Sequence, residues 1–137
     1  MQHFKQTNLD TNILKAISEM GFKTPTPIQA KTIPHLMNSN LDLIATAQTG
    51  TGKTAAFGLP SIHLTNLKYN DTQTLVLCPT RELCIQIAKD LTKYSKYLKG
   101  LNILAVYGGS DIKTQIRSLN KGAHIVIGTP GRTKDLI

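Results

Sequence analysis

Residues 41–54 read L-D-L-I-A-T-A-Q-T-G-T-G-K-T, and the helix-like A-A-F-G-L follows at once. An apolar run that breaks into a glycine-containing loop and then a helix is what phosphate binding requires. A buried strand delivers the loop to a helix N-terminus, whose unpaired N–H groups point at the anion. Gly50 and Gly52 offer backbone conformations closed to other residues and room for a phosphate to approach main chain. Lys53 adds a point charge and Thr54 a hydroxyl suited to Mg²⁺. The pattern G-x-x-x-x-G-K-[ST] is met across Ala47, Gln48, Thr49, Gly50, Thr51, Gly52, Lys53 and Thr54 except at its first position, where Ala47 is tolerable only with a negative φ. Gly50, Gly52 and Ala55 also satisfy the dinucleotide pattern G-x-G-x-x-A, with Asp71 downstream as a ribose-binding acid. Asp71 precedes the next strand, however, instead of ending it, and adjacent Lys53 and Thr54 favour a triphosphate.

Around this stretch lie 137 residues, enough for one ordinary domain with a real core, and 40% of them are hydrophobic, as in soluble globular proteins. No apolar run approaches the ~18 residues of a membrane span and no secretory segment opens the chain, so a cytoplasmic protein is expected. Cys78 and Cys84 are too few for a metal site or disulfide framework and read as reduced structural thiols. His3, His35, His63 and His124 share no spacing and receive no chemistry. A formal charge of +8 and a pI near 9.7 suit a polyanionic partner, or equally a lysine-rich proteome.

Before the loop, residues 8–20 carry Leu9, Ile13, Leu14, Ile17 and Met20 at helical spacing, with Asp10 or Thr11 as cap and Gly21 as stop. Phe4 precedes them as either a packing residue or a stacking platform. In G-F-K-T-P-T-P-I-Q, residues 21–29, two prolines fix an extended segment, and Thr26 and Pro27 read as N-cap and first helical residue. The helix then runs into Gln29, whose amide either faces solvent or pairs with the N6 and N7 edge of adenine. Pro34 is expected to interrupt this helix.

After the loop, residues 53–67 read as a helix, and strands then alternate with helices: strand 74–78, helix 82–98, strand 101–107, helix 112–119 and strand 125–128. Alternation predicts an α/β fold, a parallel sheet flanked by helices, with strands buried on both faces. On helix 82–98, Leu83, Ile87, Leu91, Tyr94 and Leu98 are predicted to face inward, and Lys89, Lys93 and Lys96 outward. The carboxyl ends of strands are where such sheets bind ligands. Here they carry P-T-R-E-L, G-G-S-D and T-P-G-R. Each combines a glycine or helix start with a hydroxyl or arginine, so the three together suggest a track for successive phosphates of a nucleic-acid strand; any one alone reads equally as a capped turn.

Phe4, G-F-K-T-P-T-P-I-Q, A-Q-T-G-T-G-K-T, P-T-R-E-L, Gly108-Gly109 and T-P-G-R, in this order and at these intervals, closely resemble the first RecA-like domain of DEAD-box ATP-dependent RNA helicases. The resemblance spans nearly the whole chain, and the family also has Ala at the position of Ala47. It implies a P-loop NTPase domain of RecA type occupying residues 1–137, with an adenine-recognising stretch at 4–29. It further implies that Gln29 recognises adenine with Phe4 packing on the base, that Lys53 contacts the outer phosphates of ATP, and that Thr54 helps bind Mg²⁺. Thr80, Arg81, Gly108, Gly109, Thr129, Gly131 and Arg132 would grip the RNA backbone.

The sequences D-E-A-D and S-A-T and the second RecA-like domain with its arginine finger do not occur in these residues, and Thr133 stands where an apolar residue usually follows the arginine. The expectation is therefore the front part of a helicase, with a second domain in the parent protein and no turnover by these residues alone. Within the family, the sheet neighbours of the phosphate-loop strand come from residues beyond those present here. Two alternatives of other classes are a nucleotide- or RNA-binding module without turnover, and a dinucleotide-dependent oxidoreductase.

Overall fold

The computed structural model describes residues 3–137, which form two compact bodies: residues up to 64 with 93–98, and residues 65–92 with 99–137.

The first body is helical. A single 3₁₀ turn, Phe4–Thr7, precedes α1 (Thr11–Glu19), which Asp10 caps by accepting the Asn12 N–H at 2.8 Å. The apolar spacing of α1 places Ile13, Ala16 and Ile17 in the core. Thr26 and Pro27 open α2 (Pro27–Asn38) as its N-cap and first residue. Pro34 does not interrupt that helix, because its ring forfeits only one intrahelical hydrogen bond in twelve residues. α3 (Lys53–Leu64) follows the glycine loop, ends three residues before the expected 67, and holds an internal proline of its own, Pro60.

The segment 41–46 reads as a strand from its apolar run, but one poorly supported without the sheet neighbours that the family resemblance implies. It forms no strand: it pairs with no sheet, and Leu41, Leu43 and Ile44 are 75%, 40% and 96% exposed. A β-strand exists by virtue of hydrogen bonds to a neighbour, and this segment enters none of the described strand pairings.

The second body carries the sheet: β1 (Thr74–Leu77), β2 (Ile103–Val106) and β3 (Ile125–Gly128), all parallel, in the order β1-β3-β2. α4 (Arg81–Tyr94), α5 (Ile112–Lys121) and α6 (Pro130–Leu136) follow β1, β2 and β3. Only central β3 is buried along its whole length; β1 and β2 are edges, and Leu75 and Leu77 are half exposed, so burial on both faces holds for one strand of three. Val106, Ala123 and Val126 form a core cluster, with Leu104, Leu119 and Leu136 packed on it.

α4 stops at Tyr94, four residues short of the expected 98, and its buried positions are Cys84, Ile87, Leu91 and Tyr94, while Leu83 faces outward. Lys96 therefore lies beyond the helix, not in a lysine row upon it. It pairs with Glu19 at 3.2 Å, and the Tyr97 hydroxyl donates to the same carboxylate. The hydrogen bond from Tyr97 and then that from Lys96 hold Glu19 below the usual carboxylate range. Cys78 and Cys84 are free and buried. Burial first, and then the adjacent Cys78 thiol, push the Cys84 thiol up to about 12, which makes it inert as a nucleophile.

β3 ends at Gly128, where a Cβ would lie 2.1 Å from Thr133 Oγ1 and 2.9 Å from Val106 Cγ2, so only glycine lets α6 fold back this closely. The Thr133 hydroxyl facing it is buried and has no hydrogen-bond partner among the described residues. Thr133→Val removes that unsatisfied group at nearly constant volume and should stabilise the chain by about 1 kcal/mol. Thermal unfolding followed by circular dichroism should show the midpoint rising by a few degrees. A lowered midpoint would mean that the hydroxyl has a partner in solution.

Candidate nucleotide and nucleic-acid sites

In the first body, the loop 47–52 is irregular backbone leading into α3. Gly50 and Gly52 take φ of +81° and +83°, and Asn8 is the only non-glycine residue of positive φ among those described, so Ala47 satisfies the condition its position sets. The Thr51 hydroxyl donates to the Gln48 carbonyl at 2.5 Å and closes the turn. Lys53 stands exposed at the first position of α3, with Thr54 next to it.

Gln29 does not face solvent: it is 3% exposed. Its Oε1 accepts the Thr26 N–H at 3.0 Å, and its Nε2 donates to the Gly52 carbonyl at 3.1 Å. That carbonyl also accepts the Ala56 N–H at 3.1 Å, in the first turn of α3. One amide thus ties the N-terminus of α2 to the phosphate loop, and each of its polar atoms keeps capacity for one further hydrogen bond. A Cβ on Gly52 would stand 2.3 Å from Gln29 Nε2, so the second glycine is required for space as well as for φ.

Phe4 is buried, its ring 5.9 Å from that of Phe22, which in turn lies 6.0 Å from Tyr94. Phe4 and Phe22 line a groove of about 770 Å³ with Leu14, Lys15 and Lys23. Sequence reading passed over Phe22, although its place between Gly21 and the two prolines was the available signal.

In the second body, the pairing of Leu77 and Val106 with Gly128 ends all three strands at one level, so their loops leave the same edge of the sheet. That edge gathers Thr80, Arg81, Gly108, Gly109, Thr129, Gly131 and Arg132. Every loop also starts a helix. The Thr80 hydroxyl accepts the Leu83 N–H at 3.2 Å, and Asp111 accepts from Lys113 N and Thr114 Oγ1, each at 3.1 Å. Arg81 lies over the Tyr107 ring, 5.0 Å from its centroid, and Gly109 has φ +82°. Arg132 Nη1 donates to the Ser110 carbonyl at 3.1 Å and to Gln115 Oε1 at 2.9 Å. Both arginines are thus held by protein groups, which a bare sequence pattern does not disclose.

Three of the four histidines hydrogen-bond to main chain. Nδ1 of His63 accepts the Asp10 N–H at 2.9 Å, His35 meets the Leu41 carbonyl, and buried His124 accepts the Asn102 N–H at 3.0 Å. Among the described residues, no group of three or more His, Cys, Asp or Glu could hold a metal, and no helix is long and apolar enough to cross a membrane.

The family model for the DEAD/DEAH box helicase matches residues 26–137. The chain belongs to that family. It is 56% identical over all 137 residues to the ATP-dependent RNA helicase CshA of Listeria monocytogenes, of which it spans 26%. With the ATP-dependent RNA helicase DeaD of Escherichia coli it shares 46% identity over 132 residues, 96% of this chain and 21% of that protein. The crystal structure of a DEAD box protein from Methanococcus jannaschii superimposes with a TM-score of 0.92 at 45% identity, covering 98% of this chain and 36% of that one. The parallel sheet flanked by helices is thus that of this family's RecA-like domain, and the chain spans about a quarter of the length of the curated relatives it matches.

Proposed function

We propose that these residues form part of the first RecA-like domain of a cytoplasmic ATP-dependent RNA helicase, binding ATP at residues 4–54 and RNA backbone along the sheet edge. The observation that carries the reading is the bond between Gln29 and the Gly52 carbonyl. It sets an amide suited to adenine directly against the loop suited to phosphate.

Adenine offers N7 as acceptor and its N6 amino group as donor, and the remaining donor and acceptor of Gln29 match both; guanine offers two acceptors at that edge. Phe22, backed by the buried Phe4, provides apolar surface for the base, and Lys53 meets the outer phosphates. Thr54, at the start of α3 beside the loop, offers a hydroxyl suited to Mg²⁺, which commonly takes a single protein ligand or two alongside phosphate oxygens and water. Bound there, the ion would neutralise phosphate charge. At the sheet edge, Arg81 and Arg132 contact phosphates rather than bases, since guanidinium groups on a level row of loops track a backbone. The second RecA-like domain is a partner in the full-length parent.

A titration of ATP, GTP and NADH against the chain tests the nucleotide reading: ATP should bind most tightly, and equal affinity for ATP and GTP would overturn it. Arg81→Ala should weaken single-stranded RNA of every sequence alike and reduce the log–log salt slope by about 0.7. Loss that varies with RNA sequence would identify Arg81 as a base reader.

A further inference from the structure

Gln115 lies on α5, where helical spacing calls for an apolar residue, and it is 5% exposed while its neighbour Ile116 is 42% exposed. A buried glutamine is retained at a cost unless its amide is used, and here both ends are. Oε1 accepts from Arg132 Nη1 at 2.9 Å, and Nε2 donates to the Tyr107 carbonyl at 3.2 Å. The same Arg132 nitrogen reaches the Ser110 carbonyl at 3.1 Å. The turn Gly108-Gly109-Ser110 is therefore clamped on both sides, by Gln115 at Tyr107 and by Arg132 at Ser110. Tyr107 also carries the Arg81 guanidinium over its ring. One amide thus holds Arg132 directly and pins the backbone of Tyr107, the residue whose ring lies under Arg81. Arg132 spends only Nη1 on these bonds, so Nη2 and Nε stay available to a phosphate.

We propose that Gln115 is a positioning residue for RNA-backbone binding, fixing Arg132 and the 108–110 turn in the arrangement that receives successive phosphates. The proposal rests on the RNA reading above. The Gln115 amide is engaged by Arg132 and the Tyr107 carbonyl, so its effect passes through Arg132 and the turn.

The test is fluorescence anisotropy of a labelled single-stranded RNA with the whole chain, across a salt series, for Gln115→Met, Arg132→Ala and the double variant. Gln115→Met keeps length and burial but removes both hydrogen bonds. It should raise the RNA Kd about tenfold. Because no charge is lost, its salt slope should equal that of the unaltered chain, whereas Arg132→Ala should lose about 0.7 of slope. The double variant should bind within about twofold of Arg132→Ala, since residues acting through one another are not additive. ATP affinity of Gln115→Met should be unchanged, which a general loss of folding would not permit. RNA binding unaffected by Gln115→Met, or strictly multiplicative losses in the double variant, would overturn the proposal and leave the RNA reading standing. Failure of the unaltered chain to bind RNA would overturn both.

Discussion

Incubated with Mg²⁺ and ATP, with or without RNA, the purified 137-residue chain should release no more phosphate than its Lys53→Ala variant. Phosphoryl transfer needs the metal held on two sides, by a loop hydroxyl and by a carboxylate from a second strand end, and a positive group opposite the γ-phosphate. On the proposed reading, Thr54 supplies the first. The acids near the later strand ends do not meet the second. Asp111 is committed to the Lys113 N–H and the Thr114 hydroxyl as the cap of α5, and Asp135 is exposed on α6. Loss of an arginine finger alone lowers such rates by about 10³ to 10⁵. RNA-stimulated phosphate release that disappears in Lys53→Ala would show that these residues carry a complete catalytic set and that Asp111 or Asp135 has been misassigned.

Gly52→Ala should weaken ATP binding by on the order of 100-fold, and Gly50→Ala by on the order of 10-fold. Both glycines have positive φ, a conformation that costs other residues about 1–2 kcal/mol. A Cβ on Gly50 meets nothing within 4 Å, so that strain is its whole penalty. On Gly52 the Cβ would lie 2.3 Å from Gln29 Nε2, and the amide must leave. The Thr26 N–H and the Gly52 carbonyl then lose their bonds to it in a part-buried setting, adding about 1–3 kcal/mol. Isothermal titration of both variants decides the matter: equal losses would mean that the contact with Gln29 does not constrain the loop.

Local chemistry was legible in the sequence, and pairings between distant residues were not. A cap at Asp10 or Thr11, of which the structure uses Asp10, the Thr26-Pro27 helix start and all three sheet strands follow from spacing and residue type, which act within a few positions. The alternation that predicted a parallel sheet also put the P-T-R-E-L, G-G-S-D and T-P-G-R loops at one edge. Residues 41–46 misled because an apolar run becomes a strand only beside another, a condition set far along the chain. The bonds of Gln29 were illegible for a related reason: its partner, the Gly52 carbonyl, lies 23 residues away, and no periodicity reports a side chain bonding to a distant backbone. Gln115 left a faint trace as a polar residue on the apolar face of α5, with Ile116 turned outward. α6 was missed because seven residues opening with Pro-Gly look like a loop.

The unpaired segment 41–46 has a practical cost. Leu43 and Ile44 are exposed beside backbone N–H and C=O groups that enter no ladder, with Asp42 the only charge among the six residues. Short apolar stretches of low charge and open backbone template strand addition between molecules. Concentrated solutions of the chain should therefore self-associate through this stretch, and Ile44→Lys, placing a charge where the side chain is already 96% exposed, is the substitution that should keep it monomeric without disturbing the core.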